Sequence, residues 1–158
     1  MRFLPLALVL GLAAIASPLA SHAQVQGVAA DEQIVMKQVM TDKRAVYARN
    51  LALSESESRA FWPIYDEYEG KVKNLDDRFM TLLNDYAAKY ETLTDADAAP
   101  LLKEKLAIEK DRIALKQAYT KKIAKALPAK TALRYSQIET RIEIMMRSQV
   151  YGLIPLAQ

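Results

Sequence analysis

Apolar residues along this chain recur every three or four positions, which is the spacing of amphipathic α-helices. No segment shows the apolar–polar alternation of a β-strand between turn dipeptides. From position 31 onward the chain is rich in good helix formers and poor in glycine and proline. The pattern predicts four helices, over about 31–49, 54–90, 94–126 and 128–151.

The second predicted helix has the most regular apolar pattern. Eight apolar residues follow one another at spacings of four and three, as in the a and d positions of a coiled coil. They are Phe61, Tyr65, Tyr68, Val72, Leu75, Phe79, Leu82 and Tyr86. Pro63 falls inside this pattern and predicts a kink, or a short entry turn that ends near it.

The other helices have weaker patterns. In the third helix, the residues predicted to be buried in one seam are Leu102, Leu106, Ile113, Thr120, Ile123 and Leu127. Three further apolar residues widen this seam: Leu101, Ile108 and Leu115. Two seam positions carry charged residues, Glu109 and Lys116. In the fourth helix the seam is Ile138, Ile142, Met145 and Gln149, with Ile144, Met146 and Val150 alongside. In the first, Val35, Val39 and Val46 form one stripe and Met36, Met40 and Tyr47 flank it.

Two helix starts carry capping motifs. Ser54 with Glu57, and Thr94 with Asp97, have the spacing at which cap side chain and third-residue side chain satisfy each other's backbone N–H. Pro128 suits the first turn of the fourth helix, and Gly152 suits a C-terminal cap. The short link near 92–94 makes the second and third helices antiparallel neighbours. The predicted fold is all-α, a long antiparallel helical hairpin with a shorter helix at each end.

Charge divides between the two arms of this hairpin. Residues 54–99 contain 11 acidic and 5 basic groups, whereas residues 100–130 contain 9 basic and 3 acidic groups. Opposite charges favour pairing of the arms with each other. The lysine-rich arm also offers a surface that attracts acidic partners.

The first 23 residues resemble a secretory signal peptide. Arg2 is followed by an apolar run from Leu4 to Ala16, and Ser21-His22-Ala23 is a small-residue cleavage site. The run is too short to span a membrane, so we expect cleavage after Ala23. The expected organisation is a signal peptide (1–23), a tether (24–30), a helical domain (31–151) and a tail (152–158), in an exported protein.

The amino-acid composition excludes several kinds of reactive or metal-binding site. The chain has no cysteine, and its one histidine lies in the segment expected to be removed. Disulfides, thiol nucleophiles and the usual ligands of Zn, Ni and Cu(II) are therefore excluded from the mature form. Met36 with Met40 and Met145 with Met146 are more typical of core than of a Cu(I) site. The carboxylates follow the pattern of a solvated helix surface, so we expect no enzyme activity, metal or cofactor.

The two capping motifs repeat 40 residues apart, each after a leucine: Leu53-Ser54-x-x-Glu57 and Leu93-Thr94-x-x-Asp97. With the signal peptide, the length and the helix count, they resemble the Spy/CpxP-like family and its LTxxQ motifs, although acidic residues replace the glutamine. The resemblance implies a cradle-like periplasmic homodimer of long helices. Members are ATP-independent chaperones, envelope-stress regulators or metal-responsive sensors.

Two functions stay open. One is a chaperone that binds non-native or stress-exposed envelope proteins without ATP; the other is an envelope-stress regulatory protein with one dedicated partner. We expect no nucleic acid partner and no membrane span. Candidate client-binding residues are the exposed aromatic anchors expected near Pro63, the methionine pair and the lysine-rich arm: Phe61, Trp62, Tyr65, Met145, Met146, Lys121, Lys122 and Lys125.

Overall fold

The computed structural model describes residues 43–157. Within them, α1 covers residues 43–51, α2 Glu55–Lys89, α3 Asp95–Ala126 and α4 Ala129–Tyr151, with a 3₁₀ turn at Tyr90–Thr92. This part of the chain contains no strand, so the predicted all-α fold is confirmed. The signal peptide with its cleavage site, the tether, His22 and residues 31–42 with Met36 and Met40 lie outside the described residues.

Both predicted capping motifs are present. The Ser54 backbone N–H donates to Glu57 Oε2 at 2.8 Å, and the Glu57 N–H donates to Ser54 Oγ at 3.3 Å. At the start of α3 the Thr94 N–H donates to Asp97 Oδ2 at 3.4 Å, and the Asp97 N–H donates to Thr94 Oγ1 at 3.3 Å. These bonds satisfy backbone donors that have no partner inside a helix, so they fix where both long helices begin.

The second cap predicts a pH dependence of stability. The Lys89 ammonium and the hydrogen bonds from Thr94 lower the pKa of Asp97 to about 2, below its ordinary value. Ionised Asp97 therefore stabilises the fold above the unfolded pKa, and this contribution is lost as the pH falls toward 2. We expect Asp97→Asn to lower the urea midpoint at pH 6 and to match the wild type near pH 2. A gap between the two midpoints that does not change with pH would contradict this.

Boundaries differ slightly from the predicted ones. α2 continues through Pro63, so no entry turn ends there. Pro128 is the N-cap of α4 and not its first residue, whereas Gly152 is the C-cap as predicted.

Ala52, in the link between α1 and α2, has a φ of 49°. A non-glycine residue in this left-handed region costs about 1–2 kcal/mol, so the neighbouring packing holds this link in place.

The α2 pattern is confirmed, because all eight seam residues are buried or half-buried. The α3 pattern is confirmed at Ile123 and Leu127, which are buried, and is wrong at Leu102, Leu106 and Ile113, which are 57%, 54% and 57% exposed. The inner face of α3 lies about one position earlier, and it includes charged side chains. It consists of Leu101, Lys105, Ile108, Arg112, Leu115, Tyr119 and Ile123. Arg112 is accommodated there because Asp76 of α2 neutralises it, whereas Lys105 is partly exposed and pairs with Glu109 on the same helix.

Contacts between α2 and α3 pair residues in opposite order along the chain, as antiparallel neighbours do. Arg78 contacts Glu104 at 2.9 Å, Asp76 contacts Arg112 at 2.8 Å, and the Tyr68 and Tyr119 rings lie 5.4 Å apart. The acidic and basic arms are thus joined by ion pairs as well as by apolar packing.

The densest part of the core lies where α1, the start of α2, the end of α3 and α4 meet. Its fully buried side chains are Tyr47, Phe61, Ile123 and Tyr135. On α4, Ile142 and Val150 are buried, whereas Met145 and Gln149 are exposed. The predicted α4 seam is therefore wrong at those last two positions, because α4 turns Met146 and Val150 inward in their place. Among the described residues, no helix is both long and apolar enough to cross a membrane.

Candidate functional site

A buried polar cluster joins three helices. Glu139 of α4 is 5% exposed and Lys43 of α1 is 6% exposed. Lys43 Nζ donates to Glu69 Oε1 at 2.8 Å and to Glu139 Oε1 at 3.2 Å. The hydroxyls of Tyr68 and Tyr47 also donate to the Glu139 carboxylate, Tyr68 at 2.8 Å. We call these five residues the Glu139 cluster.

The pKa values within the Glu139 cluster follow from burial and charge. Burial lowers the pKa of Lys43, but the nearby carboxylates of Glu139 and Glu69 outweigh it, so the net pKa is raised. Burial raises the pKa of Glu69, and the Lys43 ammonium partly opposes that rise. Burial, followed by the charge of Glu139, raises the pKa of both tyrosines. Because the Glu139 oxygens accept three donors from the protein itself, the cluster fastens α1, α2 and α4 together.

Beyond Lys43 an open groove continues between α2, α3 and α4, with a cavity of about 90 Å³. Its apolar wall includes Val72, Phe79, Ile108, Ile142 and Val150. Ion pairs border it, with Asp76 bonded to Arg112 at 2.8 Å and Lys116 bonded to Glu143 at 2.6 Å. Burial raises the pKa of Asp76, and the Arg112 guanidinium opposes that rise. The groove is thus apolar along its base and charge-balanced at its edges.

The outward surface of α3 has a different character. Leu102, Leu106 and Ile113 recur at spacings of four and seven, so they share one exposed helix face with Lys110 and Lys121. We call these five residues the α3 outer face. Within the described chain, its three aliphatic side chains are among the large apolar residues left most exposed to solvent.

The aromatic anchors predicted near Pro63 are not exposed. Phe61 is 0% and Tyr65 is 3% exposed, so that interpretation is wrong, and Trp62 is half-buried. The Tyr47 ring lies 5.1 Å from the Tyr65 ring, because α1 packs over this part of α2. α4 adds Tyr135, whose ring lies 5.7 Å from that of Phe61. These residues form core in place of a binding surface.

The other candidates divide between surface and groove. Met145 is 50% exposed, whereas Met146 is half-buried and lines the groove. Lys121 and Lys125 are exposed. Lys122 is exposed but engaged, because its Nζ lies 3.1 Å from Glu67 Oε2 and 4.3 Å from the centre of the Tyr119 ring. The structure therefore does not bring the predicted residues together at one place.

Two features of the structure are not among the predictions from the sequence. The three aliphatic residues of the α3 outer face follow the helical repeat and are therefore predicted to be buried, but they are exposed. Glu139 is not among the predicted site residues, because a single glutamate in a helix usually faces solvent. Its spacing from Tyr135 and Ile142, four and three residues, places it in the middle of the apolar stripe of α4 and is the signal that identifies it. No family model, curated protein or solved structure matches this chain.

Proposed function

We propose that this protein is a periplasmic, ATP-independent chaperone-like protein that binds non-native or stress-exposed envelope proteins. The observation that carries the proposal is the α3 outer face, where aliphatic side chains and lysines share one exposed surface. A surface for many unfolded chains needs modest apolar contact and surrounding charge, without a deep pocket fitted to one ligand. The resemblance to Spy/CpxP-like proteins supports the same class of function.

The size of this surface favours weak, reversible capture. Covering the exposed halves of its three aliphatic side chains contributes about 2.5–5 kcal/mol, on the scale of about 1.5–3 kcal/mol for one fully buried aliphatic side chain. Lys110 and Lys121 on the same face attract acidic segments of a client, and salt screens this attraction. Because this binding is weak, clients can dissociate without ATP.

Aggregation suppression tests the proposal. Purified protein without nucleotide should suppress light scattering by two unrelated unfolding clients. The variant Leu102→Ser, Leu106→Ser, Ile113→Ser should bind clients at least about tenfold more weakly, because losing 1.4 kcal/mol already corresponds to tenfold. The matched control replaces three exposed leucines elsewhere, Leu133, Leu153 and Leu156, with serine and should retain suppression.

Three results would each contradict one part of this proposal: the chaperone activity, the role of the α3 outer face or the role of its lysines. If the wild type suppresses neither client, the chain is better explained as a regulatory protein with one dedicated envelope partner. If both triple variants lose suppression equally, general surface hydrophobicity and not the α3 outer face is responsible. If salt has no effect, the lysines take no part in capture.

Location and assembly belong to the same proposal. We propose export through the cleaved signal peptide and assembly into a homodimer, for which a further exposed apolar residue on α4, Ile144, offers contact surface. The exported protein should have an intact mass that begins at Gln24, and light scattering should give twice the mass of one chain. A mass that retains residues 1–23, or a single-chain mass at high concentration, would contradict the respective part.

A further inference from the structure

The outward side of α4 carries basic residues that have no acidic partner in the described chain. Lys130, Arg134 and Arg141 are exposed, and none of them forms an ion pair with a carboxylate of residues 43–157. Met145, four residues beyond Arg141, is 50% exposed. Successive spacings of four, seven and four residues place these four side chains on one face of the helix. We call them the α4 outer face.

The acidic residues of α4 lie away from this face. Glu139 is buried in the Glu139 cluster, and Glu143 is half-buried, with its Oε2 2.6 Å from Lys116 Nζ of α3. No other residue of α4 is acidic. The fully exposed charged side chains of this helix are therefore all basic.

The sequence before and within α4 does not supply the missing negative charge. Residues 112–138 contain seven basic residues and no acidic residue. Three of the seven pair with carboxylates of α2 or α4: Arg112, Lys116 and Lys122. Lys130 and Arg134 are four residues apart in one helix, where like charges destabilise each other. Nothing in the described chain offsets this repulsion, which favours a partner outside the fold.

The shape and chemistry of the α4 outer face fit an anionic lipid surface. From Lys130 to Arg141 the face is about 16 Å long, at about 1.5 Å per residue, so its three cations can reach separate lipid phosphates. Met145 is flexible and apolar, which suits the boundary between headgroups and acyl chains. The groove lies on another side of α4, where Ile142 and Val150 line it. The outer side of a single helix is suited to a broad charged surface and not to a small molecule.

We propose that the α4 outer face docks this protein on the surface of a bilayer that contains anionic lipids. The contact is peripheral: Lys130, Arg134 and Arg141 bind lipid phosphates, and Met145 enters the boundary beneath them. The contact uses neither the α3 outer face nor Ile144, so it is independent of the client binding and the dimer contact proposed above.

Vesicle flotation tests the proposal. The purified protein should float with vesicles made of phosphatidylglycerol and phosphatidylcholine, and it should remain in solution with vesicles of pure phosphatidylcholine. Added salt should release it, because salt screens the charges. The variant Lys130→Gln, Arg134→Gln, Arg141→Gln should bind the anionic vesicles about a hundredfold more weakly, because each Lys or Arg near an anionic bilayer contributes about fivefold.

The matched control removes the same net charge from exposed positions elsewhere. It replaces three lysines of α2 and α3 with glutamine: Lys71→Gln, Lys73→Gln and Lys103→Gln. This control should bind the anionic vesicles as the wild type does. Equal losses in both triple variants would overturn the proposal, because net charge and not the α4 outer face would then be responsible. A wild type that binds poly-glutamate but not the vesicles would also overturn it and would assign this face to an acidic protein.

A second measurement locates the contact on the molecule. Because the chain contains no cysteine, Met145→Cys and Leu106→Cys each accept one environment-sensitive dye. The emission of the dye at position 145 should shift to shorter wavelength on anionic vesicles, whereas that of the dye at position 106 should stay unchanged. A shift at position 106 alone, or equal shifts at both positions, would overturn the assignment of the contact to α4.

Discussion

Replacing Glu139 with alanine should lower the free energy of unfolding by about 3–5 kcal/mol, the usual cost of removing one partner from a buried ion pair. Three donors lose their acceptor at once: Lys43 Nζ and the hydroxyls of Tyr47 and Tyr68. Lys43 keeps Glu69 as a partner. The pKa of Lys43 should nevertheless fall toward or below its ordinary value, because the Glu139 carboxylate no longer counters the effect of burial. Urea denaturation followed by circular dichroism measures the change.

A matched control separates this cluster from ordinary helix charges. Glu109 pairs with Lys105 four residues away in α3, with both side chains partly exposed. Glu109→Ala should cost no more than about 0.5 kcal/mol. Glu139→Gln, which keeps an acceptor for a tyrosine hydroxyl but removes the charge, should fall between the two. Equal losses for Glu139→Ala and Glu109→Ala would show that the cluster does not hold the helices together.

Phe61→Ala should lower the free energy of unfolding by about 3–5 kcal/mol, as large-to-small changes of buried aromatic residues do. Phe61 is fully buried, and its ring lies 5.6 Å from that of Tyr65 and 5.7 Å from that of Tyr135. The cavity left behind would remove packing between α1, α2 and α4 together. Thermal and urea unfolding both measure the loss.

The same variant distinguishes core from binding surface. Leu106→Ala, at a position 54% exposed, should change stability by no more than about 0.5 kcal/mol while it weakens client binding. A Phe61→Ala protein of unchanged stability that binds clients less well would make Phe61 an exposed anchor after all. The two variants are expected to give opposite results in the two assays.

The sequence was sufficient to predict the three long helices α2, α3 and α4, both capping boxes and the buried face of α2. These features depend on local hydrogen bonds or on a long, regular apolar repeat. It was not sufficient for α3, because Lys105 and Arg112 lie on the inner face while Leu102 and Ile113 lie outside. Which face is buried there depends on carboxylates supplied by other residues, such as Asp76 of α2, and an apolar pattern contains no such information.

The candidate site was less predictable for a related reason. Phe61 and Tyr65 lie near a proline at the start of a long helix, where side chains are expected to be exposed to solvent. They are covered because α1 returns over them and α4 packs beside them, so burial here is decided by elements distant in sequence. The α3 outer face becomes recognisable only once the inner face of that helix is known.

The single tryptophan of the chain gives α1 an optical label. Trp62 of α2 is half-buried, with the Arg44 guanidinium of α1 over its ring at 4.1 Å and the Tyr65 ring 5.4 Å away. Release of α1 would remove the guanidinium and admit water to the indole, which changes its emission wavelength and intensity. Detachment of this helix can therefore be timed in the unmodified protein, with no dye or engineered probe.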